Sequence, residues 1–417
     1  MRYIKATFLI GLATTLICAA LRETGVFARM DVVLWSALGE LSSPPVPRPI
    51  VQYIVIAILA FGIAWTTIDI NKATLKTIVA AGALLNVASA AWVLNFHYEF
   101  FSPFAGMSAV ILSFGMGFFY SRSEAGRRKK TLRFMFGDRL SRRSFYALLN
   151  SNQPLNFEGD ECEASVLVCK IFNHDELMSS LTVADYVAMT NLFLRTASDF
   201  LVEKGGYLDE CDGESLRVIF GTPMKDPLHA VTASEAALEL LQRLDNLNRE
   251  CEARWNKMID HRIGINSGEI VTAAYGSERL ATYSVTGEPV EFARRLCAAN
   301  TLYGSRILIG SQTYNFATDS IEVRPMEIVR GRNHSLREEI YELLALKSAL
   351  GQEETESRDR FWKGIIYFRE NRWDEALSEF EAVININPED LPAHFYIRRI
   401  EHMRTGAAPV LQWSGRL

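Results

Sequence analysis

The chain has 417 residues, 49% of them hydrophobic and 22% charged, with a formal net charge of −5. At roughly 100–200 residues per domain, that length holds two or three domains; the composition excludes a disordered chain, and the mildly acidic balance argues against a nucleic-acid partner. Six scattered cysteines with no CxxC pair exclude a disulfide scaffold or a zinc ribbon and suit a reducing compartment.

Four apolar stretches precede residue 122, at 6–21, 50–68, 77–96 and 100–121. About 20 helical residues cross a bilayer core, so the last three suffice as spans. The first is either an uncleaved span or a signal peptide with Arg2 and Lys5 as its charged end. Residues 1–121 are thus expected to be a transmembrane region of four helices. Nine Lys/Arg against Glu124 and Asp138 within 122–143 place that segment on the cytoplasmic side, together with the short loop carrying Lys72 and Lys76. The 22–49 segment then lies outside, and its proline run at 44–47 predicts a loop. The expected location is the inner (cell) membrane, multi-pass, with everything after about residue 122 cytoplasmic. Small residues at 80–91 would let helices pack closely.

Residues 122–160 read as a basic juxtamembrane linker. From 161 to 345 strands and helices alternate. A β-rich run covers 164–172, and 184–204 has helical spacing ended by Gly205-Gly206. A hairpin follows at 207–221 with Asp212-Gly213 as its turn, then an amphipathic helix at 227–247. Residues 261–265 and 270–274 read as paired strands, a helix starts at 291–296, and 305–309 is another strand. This βααββαβ order predicts an α+β sheet covered by helices on one face.

Five strings in this stretch, ASVLVCKI (164–171), GGYLDECDGE (205–214), VIFGTP (218–223), RIGINSGEIV (262–271) and YSVTGEPVEFARRL (283–296), resemble the class III adenylyl/guanylyl cyclase catalytic domain. Residues 1–150 resemble the end of the CHASE2 sensor family, whose transmembrane helices precede such a domain. The resemblance implies a ferredoxin-like α+β fold, a head-to-tail dimer with composite sites, ATP or GTP as substrate, and Mg²⁺ or Mn²⁺ held by two aspartates. It also implies an Asn for the ribose and an Arg for the transition state.

Several of those positions carry other residues. Lys170 stands at the first metal aspartate, and an ammonium has no lone pair for a cation. Glu214 stands at the second and is the one remaining metal carboxylate. Glu291 replaces the ribose Asn, while Arg295 keeps the transition-state Arg one helical turn on. Glu210 and Ser284 fall at the base-reading positions, and Arg330 and Arg332 at a basic phosphate-contacting segment. Lys170 and Glu214 are suited to pairing with each other. Asp175, Glu176, Asp209 and Asp212 are alternative carboxylates for a displaced metal. His174, His229 and His261 show no ligand spacing.

Residues 359–405 resemble a tetratricopeptide unit through Gly364, Tyr367, Ala376, Phe380 and Pro388, followed by a helix-forming stretch at 391–404. One repeat is too short for a solenoid, so this all-α tail is expected to dock on the cyclase-like domain or on a protein partner. The reading as a whole is a membrane-anchored signalling protein with a homodimeric, catalytically impaired cyclase domain, a pseudoenzyme. The alternatives are an active nucleotidyl cyclase with rearranged metal ligands and the partner half-site of a heterodimer.

Overall fold

The computed structural model of the chain describes residues 2–37, 49–70, 73–96, 102–151, 155–277, 281–330 and 337–404. It divides into two compact units, Met1–Phe134 with Leu149–Ser151, and Met135–Leu148 with Asn152–Leu417.

The first unit is helical: α1 (Arg2–Glu23), α2 (Val26–Ala37), α3 (Pro49–Asp69), α4 (Ala73–Phe96), α5 (Pro103–Arg122) and the start of α6 (Glu124–Phe136). Four helices are long and apolar enough to cross a membrane, over Ile4–Glu23, Ile50–Asp69, Ala73–Leu94 and Pro103–Arg122. The segment read as an outside loop contains α2, whose Phe27 is buried with Cys18, Ile56 and Ala105; the proline run at 44–47 lies outside the described residues. Inside the bundle, Ser113 Oγ donates to Ala60 O at 2.9 Å and meets Thr14 Oγ1 at 3.1 Å, linking α5 to α3 and α1. Close packing falls to glycines of α1 and α5: Gly11 abuts Phe61, Gly106 abuts Val87 and Gly117 abuts Thr67. In the 80–91 stretch Ala80, Val87 and Ala91 are buried, whereas Gly82 faces open space. An ion pair of 2.7 Å joins Lys129 in α6 to Asp69 at the end of α3, so those two segments share one end of the unit.

In the second unit α7 (Arg142–Asn150) precedes β1 (Asp160–Ile171), α8 (His174–Ser180), α9 (Val183–Glu203), β2 (Tyr207–Cys211), β3 (Ser215–Phe220), α10 (His229–Trp255), β4 (His261–Tyr275), β5 (Thr282–Thr286), α11 (Glu288–Tyr303), β6 (Ile307–Gly310), α12 (Ser311–Ala317), β7 (Ile321–Arg330), β8 (Arg337–Leu346) and the tail helices α13 (Gln352–Arg369), α14 (Trp373–Ile386) and α15 (Leu391–Arg404). The sheet runs β2-β3-β1-β4-β6-β8-β7, with β5 on β4. Its pairs are antiparallel except β4 with β6.

Two expectations change here. The strings 261–265 and 270–274 form one continuous strand, β4, which pairs with β1 from His261 to Thr272. The polar residues between them do not turn the chain because Ser267 is buried and its hydroxyl lies 2.6 Å from that of Ser165 and 2.9 Å from that of Thr313. Helices also cover both faces of the sheet. Ile307 and Ile309 of β6 join a core with α9 and α10, while Leu308 between them joins Phe292 and Leu296 of α11 and the tail. A strand apolar on both sides needs a cover on both sides. Gly264 makes the second cover fit, since a Cβ there would strike the backbone of Ala293 and Cys297.

The tail docks on this domain. Phe361, Phe380 and Tyr396 share a core with Phe292, Leu308 and Met326. Arg324 of β7, 7% exposed, donates to Glu342 of β8 and to Asp390 of the tail, each at 2.7 Å, and lies over the Phe361 ring at 4.3 Å. The segment Met135–Leu148 is likewise part of the unit rather than a free linker. Phe136 is fully buried among Phe157, Tyr207 and Tyr283. Arg139 accepts from Leu208 N and donates to Asp209 O, at 3.0 and 2.8 Å.

Candidate functional site

The structure sorts the singled-out residues into two groups. The first lies where the β2–β3 hairpin meets the end of β1. Lys170 stands opposite Ser215 of β3, and its Nζ donates to Glu214 Oε1 at 2.8 Å. His174 Nδ1 is 3.6 Å from the other oxygen of Glu214 and 3.0 Å from Asp175. The hairpin is held by Asp212, whose carboxylate accepts from the N–H groups of Glu214 and Ser215. Burial pushes the Asp212 carboxyl up, but these hydrogen bonds outweigh it and hold the group below its ordinary value.

The second group surrounds a cleft of about 670 Å³ at the start of α11, lined among others by Arg217, Ser284, Glu291, Arg294 and Arg295. Glu291 lies in the first turn of α11, where a carboxylate favours the positive helix end. Among the described residues, Glu291, Arg294 and Arg295 make no side-chain hydrogen bond or ion pair. Ser284 Oγ donates to Asp209 at 2.6 Å, and Arg217 bridges Asp209 and Glu210 at 2.6 and 2.8 Å. Glu210 thus faces Arg217 on the neighbouring strand. Neither Lys170 nor Glu214 lines this cleft. Arg330 ends β7 opposite Arg337; its side chain, and all of Arg332, lie outside the described residues.

Asp209 and Arg217 are central to the cleft, yet the sequence gives little sign of the pairing. A register shift between Leu208 and Glu210 turns the Asp209 side chain inward, where it is fully buried. Nothing in the residue string marks that bulge. Two thiols close to Lys170, Cys169 and Cys297, are fully buried, and burial pushes Cys297 up to about 12 and Cys169 well above its ordinary value.

A divalent cation does not fit these residues. The place implied for one carboxylate holds an ammonium, and that ammonium neutralises the other carboxylate. The alternative carboxylates are dispersed: Asp175 is at His174, Glu176 pairs with Lys257, Asp209 with Arg217, and Asp212 closes the hairpin. Among the described residues no group of three His, Cys, Asp or Glu is placed to hold a metal.

Residues 159–343 match the family model described as "Adenylate and Guanylate cyclase catalytic domain". Those residues, from β1 into β8, are what the chain shares with cyclase catalytic domains. Curated relatives include an uncharacterised protein of Mycobacterium tuberculosis, 27% identical over 48% of this chain and 35% of its own length. Another is adenylate cyclase 1 of Rhizobium meliloti, 23% identical over 46% of this chain and 29% of its own length. The match spans about a third of the length of these relatives. Among solved structures, the chain is similar to the guanylyl cyclase Cya2 and the adenylyl cyclase CyaB from P. aeruginosa. Each is 24% identical over 46% of this chain, covering 98% and 100% of those chains, with TM-scores of 0.43. Within the matched residues the cleft brings Arg217, Arg294 and Arg295 together with Glu288 and Glu291, and the Lys170–Glu214 corner is an ion pair.

Proposed function

We propose that this chain is a membrane-anchored signalling protein whose cyclase domain makes little or no cyclic nucleotide by itself and acts through dimerisation and nucleotide or protein contacts. The observation that carries this reading is the Lys170–Glu214 ion pair of 2.8 Å. Closing a nucleoside triphosphate on its own 3′-hydroxyl develops negative charge that paired cations neutralise. Here the cation that stands at the metal position, Lys170, is spent on a carboxylate of the same chain. Glu291 brings a second negative charge to the cleft where the triphosphate's anionic end would approach.

Membrane anchoring is supported by the four apolar helices and by the basic segment that shares an end of the bundle with Asp69. The tail reads as a helical cover for the domain, and a contact with a protein partner would use its outer surface.

A second reading has one observation in its favour: Arg295 lines the cleft uncommitted to any partner among the described residues. A heterodimer in which this chain supplies Arg295 to a chain with intact metal aspartates would use it. The test is nucleotide turnover by the full chain in lipid, with ATP or GTP and Mg²⁺ or Mn²⁺, alone and mixed with an aspartate-bearing cyclase domain. Silence alone with Arg295-dependent turnover in the mixture selects the heterodimer. Turnover alone overturns the proposal.

A further inference from the structure

A buried carboxylate in the helical unit has no role in the cyclase domain. Asp31 of α2 is 1% exposed. Its carboxyl points at Ser102 and at the Phe104 N–H, where α5 begins. Neither Asp31 oxygen reaches a hydrogen-bond partner among the described residues, and the buried Ser102 hydroxyl has none either. Ser102 is the N-cap of α5, and its side chain makes no cap. Three orphaned polar oxygens therefore meet at one uncapped helix start.

Among the described residues, no charged group on the elements around Asp31 hydrogen-bonds to it. On α1, Glu23 accepts from Tyr53 and Arg22 lies over the same ring at 4.5 Å. On α2, Arg29 is exposed. α3 has no charged residue before Asp69, and α5 has none before Arg122. Burial raises the affinity of this carboxyl for a proton, while Ser102 and the Phe104 N–H pull the other way. The positive end of α5 offsets only part of the burial cost and disfavours a metal cation beside it.

We propose that Asp31 is a proton-binding site that controls how α2 seats on α5. With the proton bound, the neutral carboxyl stays packed. Loss of the proton leaves a buried, unpaired anion, and α2 moves out to let water reach it. The seat is thus firm at low pH and lost as pH rises. Under the membrane topology proposed above, on which this last step rests, the site lies at the outer end of the bundle, and the signal it reads is external pH.

The seat has an internal reporter. Cys18 is fully buried in the cluster formed by Phe27 of α2, Ile56 and Ala105. The test uses the full chain in sealed proteoliposomes. Infrared difference spectra should show a protonated-carboxyl band that fades as pH rises, is absent in Asp31→Asn and shifts in Asp31→Glu. Maleimide labelling of Cys18, measured on its peptide and compared with Asp31→Asn at each pH, should rise several-fold in the parent alone. No band that responds to Asp31, or equal Cys18 labelling in parent and Asp31→Asn at every pH, would overturn the proposal. A response to an internal pH step alone would keep the site and overturn only the topology. The wild-type band keeps the test decisive if the Asn variant fails to fold.

Discussion

The Lys170 ammonium lies 2.8 Å from the Glu214 carboxylate, with the two side chains 39% and 34% exposed. An ion pair that open to water contributes at most about 1 kcal/mol, so its importance lies in what it occupies. Lys170→Asp should lower stability by about 1–2 kcal/mol, the lost attraction plus the repulsion between the two carboxylates it places together. We expect Mn²⁺ to raise the melting temperature of Lys170→Asp and leave that of the parent unchanged, because only a site present in the folded state stabilises by ligand binding. Equal shifts in both proteins would mean that the cation binds elsewhere.

Arg324 holds β7, β8 and the tail together from inside the protein. Arg324→Met would leave Glu342 and Asp390 buried side by side without a cation. Breaking such a pair costs about 3–5 kcal/mol. We expect the variant to lose the tail first, read as new protease cuts between β8 and α13. An intact tail and unchanged denaturation midpoint would show that the apolar core around Tyr396 suffices.

Phe136 ties the segment before β1 to the strands of the cleft. Its ring centroid is 4.9 Å from that of Tyr283 and 5.7 Å from that of Tyr207, and Ser284 follows Tyr283 in β5. Phe136→Ala should cost about 3–5 kcal/mol and speed amide exchange in β2 and β5 before the rest of the sheet. Uniform exchange across the sheet would argue against this local tie.

The alternation of strands and helices, the helix end at Gly205 and the β2–β3 hairpin are legible in the string, because periodicity and glycine placement act locally. The β4 strand is not, because Asn266-Ser267-Gly268 has turn composition and only the buried hydroxyls of Ser165 and Thr313 make it acceptable inside a sheet. Strands β7 and β8 escape the reading for a similar reason. Arg324, Glu327 and Glu342 look like surface residues until Asp390 and Arg399 arrive from the tail to pair with Arg324 and Glu327. At the site, Lys170, Glu214, Glu291 and Arg295 stand out by their place in the motifs. The role of Asp209 depends on a bulge that composition does not encode.

His261 gives the second unit a pH dependence. Burial, then the neighbouring Arg306 charge, lowers it from 6.5 to about 4. The ring accepts from Arg306 at Nε2 (3.0 Å) and donates from Nδ1 to Ile259 O (3.2 Å), which fixes the neutral tautomer. The unfolded chain therefore binds this proton more readily than the folded one. Its contribution is complete above pH 6.5, falls as pH drops toward 4 and levels off below that, amounting to roughly 3 kcal/mol at most. Urea midpoints should fall across that window in the parent and fall less in His261→Gln. Parallel curves would place the acid sensitivity elsewhere.

The most direct measurement follows cyclic product from ATP and GTP, with Mg²⁺ or Mn²⁺, for the full chain and for the double variant Lys170→Asp/Glu291→Asn. The account predicts no sustained product from the parent and detectable product from the double variant, lost again when Arg295→Ala is added. Sustained turnover by the parent that depends on Arg295 would contradict it, because a closed Lys170–Glu214 corner would then be no barrier to the chemistry.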